Sequence, residues 1–532
     1  MCLFNSIYLF LYIYDGNKRN TFIPSLANIT KNKNIMKNIY LLLTICLLST
    51  ITNAQWSQKG ADIDGEAAED QSGFRTGMSM SADGNTIAIG AHKNDGLALD
   101  AGHVRVYEWN SSAWIQKGAD IDGEAADDRS GYSVSLSTDG NTLAIGAVSN
   151  DGTALDAGHV RIYEWSGSAW IQKGADIDGE AAGDRSGYSV SLSTDGNTLA
   201  IGAPYNDGTA VSAGHVRVYE WNGSIWNQKG ADIDGAFPVD LSGASISLSS
   251  DGNTLAIGAV NNDGTGSNAG HVRIYEWSGS AWVQKGADID GEAAGDLSGS
   301  SVSLSSDGNT LAIGAANNDG TGSQAGHVRI YEWSSSAWVL KGADIDGEAA
   351  GDLSGSSVSL STDGNTLAIG ALNNDGAALD AGHARVYEWN SSAWIQKGAD
   401  IDGEAADDLS GYSVSLNSDG NTLAIGAPYN DGNGSDAGHV IVYNVNTIGI
   451  NELEAGSFLI YPNPTVGNFS IDLRLNCESV NVHITDITGK LIQSNSYNNS
   501  KFLEMTLENP AGVYLLVIES KEKKEVIRLV KE

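Results

Sequence analysis

The sequence predicts an all-β chain: a seven-bladed β-propeller of four-stranded blades, closed by its N-terminal strand, followed by a small C-terminal β-sandwich. Three observations predict this. The tripeptide Asp-Gly-Asn recurs at Asp83, Asp139, Asp195, Asp251, Asp307, Asp363 and Asp419, always 56 residues apart. A fixed period of that length marks stacked copies of a unit that cannot bury its apolar face alone. Each copy reads as four short strands. The strand series is also offset: a Trp-x-x-Lys-Gly segment comes first, at Trp56, whereas the last copy has none after it.

The third copy shows the pattern. Ser189 to Ser193 alternates with period two, and Asp195-Gly196 is a two-residue hairpin turn. Thr198 to Ala203 is the second strand. A longer loop, Pro204 to Gly214, carries Asn206-Asp207-Gly208. His215 to Trp221 is the third strand, Asn222-Gly223-Ser224 a turn, and Ile225 to Lys229 the fourth strand. The loop Gly230 to Gly235 leads to the next copy. No segment has a helical period. Short antiparallel strands repeated radially make propeller blades. A solenoid coil is usually shorter and lacks repeated hairpins. The offset supports closure, because pairing the Trp56 segment with Val440 to Tyr443 removes two unpaired edges at once. Two copies depart from the rest. The first is two residues longer through Phe74-Arg75-Thr76-Gly77, which reads as a bulge or a longer loop. The fourth has Phe237-Pro238 where others have Glu-Ala-Ala, and it reads as the clear break in symmetry.

The run Gly183 to Val190, with Leu199 to Pro204 and Gly214 to Tyr219, resembles an FG-GAP repeat, the blade of the integrin α-subunit propeller and of many exported bacterial proteins. The resemblance covers residues 56 to 445 and implies a fold rather than an activity. Ser-Gly-Tyr stands where Phe-Gly is usual. The Asp-rich calcium loop of that family is replaced by the tight Asp-Gly-Asn turn, so its ligands are not carried over. The tail is similar to the C-terminal sorting domain of type IX secretion cargo. Tyr461-Pro462-Asn463-Pro464-Thr465, Val482 to Leu491 and Gly512 to Ile518 carry that resemblance. It implies a Gram-negative cell, entry to the periplasm, outer-membrane translocation by the type IX machinery, and release or surface attachment.

The domain reading follows. Residues 1–35 form an extension ahead of a start expected at Met36. Residues 36–54 read as a signal peptide, with Lys37 as the charged region, Ile39 to Leu48 as the apolar region and Thr52-Asn53-Ala54 as the cleavage site. Residues 55–447 are the propeller, 448–457 a linker and 458–532 the sorting domain. The expected mature chain keeps one cysteine, Cys477, so it forms no internal disulfide and holds together by packing, with or without ions. It has no segment of membrane-spanning length, so no transmembrane anchor is expected. The formal charge of −36 becomes −40 without residues 1–54, which carry five Lys/Arg and one Asp. That surface excludes nucleic acid as a partner and favours cations or basic groups.

Two sets of carboxylates are candidate sites. The Asp-Ile-Asp-Gly loops give Asp120, Asp122, Asp176, Asp178, Asp288, Asp290, Asp344, Asp346, Asp400 and Asp402. They read first as caps on the turns between blades and, alternatively, as weak Ca2+ ligands beside a flexible glycine. No other cofactor is indicated. The Asn-Asp-Gly loops give Asp151, Asp207, Asp263, Asp319, Asp375 and Asp431. Meander topology puts both sets on one face, an acidic face expected to bind the partner. Seven histidines precede the third strands, and blade symmetry keeps them too far apart to share one metal. Recurrent Trp pairs such as Trp165 and Trp170 suit packing between sheets better than sugar stacking. No nucleophile elbow, zinc-protease or phosphate-loop motif occurs. The reading is a non-enzymatic surface or secreted binding protein for a glycan or protein partner. The alternatives are a polysaccharide-active enzyme, which would need one blade to break symmetry with His, Tyr, Arg or carboxylates, and a structural surface protein.

Overall fold

A computed structural model describes residues 55–446, 458–486, 490–521 and 524–532. The extension, the signal peptide and the linker lie outside the described residues. All regular elements among the described residues are strands, arranged in eight sheets, seven of them repeating.

One blade illustrates the rest. Ser189–Leu192, Thr198–Ala203, His215–Trp221 and Trp226–Gln228 pair in order, all antiparallel. The second strand is buried along its whole length, as a strand covered on both faces must be. The fourth strand is followed by a further short strand that the sequence reading had placed in a loop. After Lys229-Gly230 the chain resumes pairing, and Ile233–Asp234 forms a two-residue strand against His215 and Val216. Asp234 and its equivalents Asp122, Asp178, Asp290, Asp346 and Asp402 therefore lie in strands, not in loops. The cause is the glycine between the two pieces. Gly230 has φ +87°, and a Cβ there would lie 2.8 Å from Trp277 of the next blade.

Neighbouring blades are stapled at this point. Lys173 lies between Trp221 and Trp226 of the next blade, 5.6 and 5.7 Å from the two rings. Its ammonium donates to Gly196 O and Asn197 Oδ1 of that blade's hairpin turn. Trp226 Nε1 in turn donates to Lys173 O at 2.8 Å. The Asp-Gly-Asn turn completes the contact. Asp195 accepts from Ser193 and from the Asn197 N–H, and a Cβ at Gly196 (φ +65°) would lie 2.6 Å from Thr142 of the preceding blade. The recurrence that revealed the fold is thus the recurrence of one inter-blade joint.

The ring closes. Gln55–Gln58 pairs with His439–Asn446, setting Trp56 opposite Val445 and Gln58 opposite Tyr443, and Ile63 then reaches Val440. The closing segment is the expected one, displaced in register so that Ile63 rather than Trp56 meets Val440. Ile63, Met78, Met80, Ile87, Ile89, Ala424, Val440 and Val442 share one core across the seam. At the hairpin mouth of the channel, the N–H of Ala82 donates to Thr138 O, and the bonds continue through Thr194, Ser250, Ser306, Thr362 and Ser418 back to Ala82. Six Leu and Met80 line a cavity of about 230 Å³ behind this circle.

The C-terminal domain is built on two long strands, Asn468–Asp486 and Leu491–Thr506. Their pairing shifts between Asp472 and Cys477. One half pairs with Leu459–Tyr461, and the other leads to Gly512–Ser520 and Lys524–Lys531. Phe469, Ile471, Val480, Val482, Ile484, Leu516 and Leu529 meet in its core. Asn463 accepts from the Val530 N–H and donates to Arg528 O, tying the Tyr461-to-Thr465 motif to the last strand.

Candidate functional site at the channel mouth

The loops after the second and fourth strands open on one face, so the Asp candidates gather there. Asp151, Asp207, Asp263, Asp319, Asp375 and Asp431 are exposed, and each accepts the backbone N–H five residues on, capping its own loop. The paired Asp residues flank the buried histidines. His103 lies with Glu66 and Asp120, His159 with Glu124 and Asp176, His215 with Glu180 and Asp232, and His327 with Glu292 and Asp344. His271, whose blade has Ala236 in place of glutamate, faces Asp288 and Asp290. Arginines complete most of these nodes: Arg105 is 3.5 Å from Glu66 and Arg385 is 3.5 Å from Glu348. Burial first, and the arginine second, hold the imidazoles of His103, His159, His215, His271, His327 and His383 below their ordinary range. Calcium fits this set poorly. Its cage needs six to eight oxygens, and here an imidazole and a guanidinium occupy the same space.

The second site lies where the first strands begin, around the channel on the loop face. The residue after Ser-Gly is Phe74, Tyr132, Tyr188, Ala244, Ser300, Ser356 and Tyr412 in blades one to seven. Because the ring closes, the four aromatics form one continuous arc over blades seven, one, two and three, and the small residues fill the opposite arc. Phe74 stacks on Tyr412 at 4.7 Å and lies 4.6 Å from His92, while Tyr132 is 5.1 Å from Tyr188. Tyr205 and Tyr429 extend the arc outward.

The two-residue insertion of blade one supplies Arg75 to this arc. Its guanidinium donates to the hydroxyls of Tyr132 and Tyr188 and lies 5.2 Å from the Tyr188 ring. In six blades a serine hydroxyl bonds the next glycine carbonyl, as Ser133 does to Gly187 O and Ser413 to Gly73 O. Blade one has Gly77 there, and Thr76 O accepts the Val134 N–H instead. Cations ring the arc. Arg185 lies 4.8 Å from the Tyr205 ring. His92 is pushed down to about 3 by burial, then by Lys93 and Arg129. Its Nδ1 and Arg129 Nε are buried without a hydrogen-bond partner among the described residues. Burial raises the Tyr132 and Tyr412 hydroxyls above their ordinary range, against the lowering effect of Arg75. Blades seven to three therefore carry a second break in symmetry besides the one in blade four, where Phe237 is exposed. The missed signal was positional: Phe74, Tyr132 and Tyr188 fall in successive copies, and Tyr412 joins them only once the ring is closed.

The class is an all-β propeller with a β-rich tail domain, and comparison specifies both parts. Residues 399–443 match the FG-GAP repeat family, and residues 459–532 match the secretion system C-terminal sorting domain. The chain thus carries FG-GAP blades and a type IX sorting domain, and it is exported to the cell surface or beyond by that machinery. Solved structures similar to it include the Dos1 propeller, at 13% identity and TM-score 0.42 over 73% of this chain and 96% of that one. Another is Raptor from Chaetomium thermophilum, at 11% identity and TM-score 0.46 over 74% of this chain and 29% of that one. No curated protein matches the chain.

Proposed function

We propose that this protein is an exported, non-enzymatic binding protein whose propeller captures an anionic extracellular glycan at the aromatic arc of the channel mouth. One observation carries the reading. In a ring that repeats almost every contact, several aromatic and cationic departures collect at the channel mouth: Phe74, Arg75, His92, Tyr132, Tyr188 and Tyr412. Aromatic rings suit the apolar faces of sugars, and guanidinium groups suit carboxylates or sulfates. Lys93, Arg129 and Arg185 stand there in a chain whose formal charge is −36. The tail domain serves secretion and surface attachment, with the type IX machinery as partner.

A polysaccharide lyase is the second reading, favoured by the same Arg, His and Tyr groups. The hydroxyls count against it, since phenols held above their ordinary range are poor bases at neutral pH. Glycan-array binding of the mature protein tests both. Polyuronate or sulfated glycans should bind, more weakly as salt rises, and Arg129→Ala with Arg185→Ala should weaken binding at least about tenfold. Binding that survives this pair but is lost on charge reversal at Asp207 and Asp263 would move the site to the acidic rim. Unsaturated uronate released from a bound chain would establish the lyase instead.

A further inference from the structure

The Glu-His-Asp node of blade seven differs from the other nodes in one respect. At the position of Arg105, Arg161, Arg217, Arg273, Arg329 and Arg385, the seventh blade has Ile441, which is 6% exposed. Where the glutamate is present in the first six blades, the arginine sits beside it, 3.5 Å away for Glu66 and 3.6 Å for Glu180. Each of these arginines also donates to a backbone carbonyl across the blade boundary, as Arg105 does to Asp64 O. Asp62, Glu404 and His439 have no such cation. Their ligand atoms lie within 4.8 Å of one another. His439 is 3% exposed, and its ring makes no hydrogen bond or ion pair among the described residues.

We propose that Asp62, Glu404 and His439 bind one divalent first-row transition ion, Zn2+ being the probe, and that the ion clips the seam of the ring. The spacing fits. The imidazole is too far from the carboxylates for a hydrogen bond, yet the three groups can reach one ion at the ~2.0–2.2 Å of such bonds with small side-chain rotations. The ligand types fit too, since imidazole with carboxylates suits zinc and its neighbours rather than calcium. Glu404 is exposed, so the ion has a way in and water can complete its shell. The location gives the ion a role. Asp62 lies on the closing N-terminal segment, His439 on the last blade and Glu404 on the loop between blades six and seven.

Titration of the metal-free mature chain with Zn2+ tests this. One equivalent should bind, at least about tenfold more tightly than Ca2+ does. Ile441→Arg restores the residue of the other six blades and should lose that equivalent while keeping the fold. Glu404→Gln should weaken it about tenfold or more, and Arg217→Ile should create a second equivalent in blade three. Zinc uptake unchanged by Ile441→Arg, or Ca2+ binding as tightly as Zn2+, would overturn the proposal.

Discussion

At the residue scale, the repeat is a set of buried polar groups that only a neighbouring blade satisfies. The third-strand histidines are the most sensitive of them. Burial and the adjacent arginine keep six of them below their ordinary pKa of 6.5. The unfolded chain therefore takes up protons near pH 6.5 that the native ring refuses. Stability is complete above that pH and falls as the pH drops below it. His92, held down to about 3, prolongs the fall. The turn aspartates add a second loss at lower pH. Burial raises Asp195, but the Ser193 hydroxyl and the Asn197 N–H outweigh it and hold it below 3.8. Urea midpoints measured from pH 8 to pH 5 should decline steadily below about 6.5, and a flat or rising profile would contradict this account of the histidines.

At the element scale, the joint between blades is the Lys-Gly kink with its Trp pair. The sequence displayed this joint openly, because Asp-Gly-Asn, Trp-x-x-Lys-Gly and the His-initiated strand each recur with the same period. Strand order and ring closure were legible for that reason. The resumed strand at Ile233–Asp234 was not, because two residues are too short to show a period. The channel-mouth cluster was hidden differently. Tyr412 and Phe74 are 338 positions apart in the chain and stack only through closure. The insertion at Arg75 looked like a loop because nothing local says that Tyr132 and Tyr188 await a guanidinium. The joint itself can be tested by Lys173→Met, which keeps the stem between Trp221 and Trp226 and removes the ammonium. It should cost about 1–3 kcal/mol in chemical unfolding, from the lost cation–π contact and two unanswered acceptors. A change under about 0.5 kcal/mol would show that packing alone makes the joint.

At the scale of the whole molecule, closure makes the rest coherent. It pairs the two segments that would otherwise be unpaired edges at the seam, places four aromatics side by side and brings Asp62 to His439. Two short stretches carry it, Gln55–Gln58 and Ile63–Asp64 against His439–Asn446. Ser57 lies directly opposite Asn444, and facing residues on antiparallel strands are within reach of a disulfide. In a Cys477→Ser background, Ser57→Cys with Asn444→Cys should oxidise to an intramolecular disulfide and raise the unfolding midpoint of the propeller. Two thiols that stay reduced under oxidising conditions while the protein remains folded would show that the ring is open at this seam.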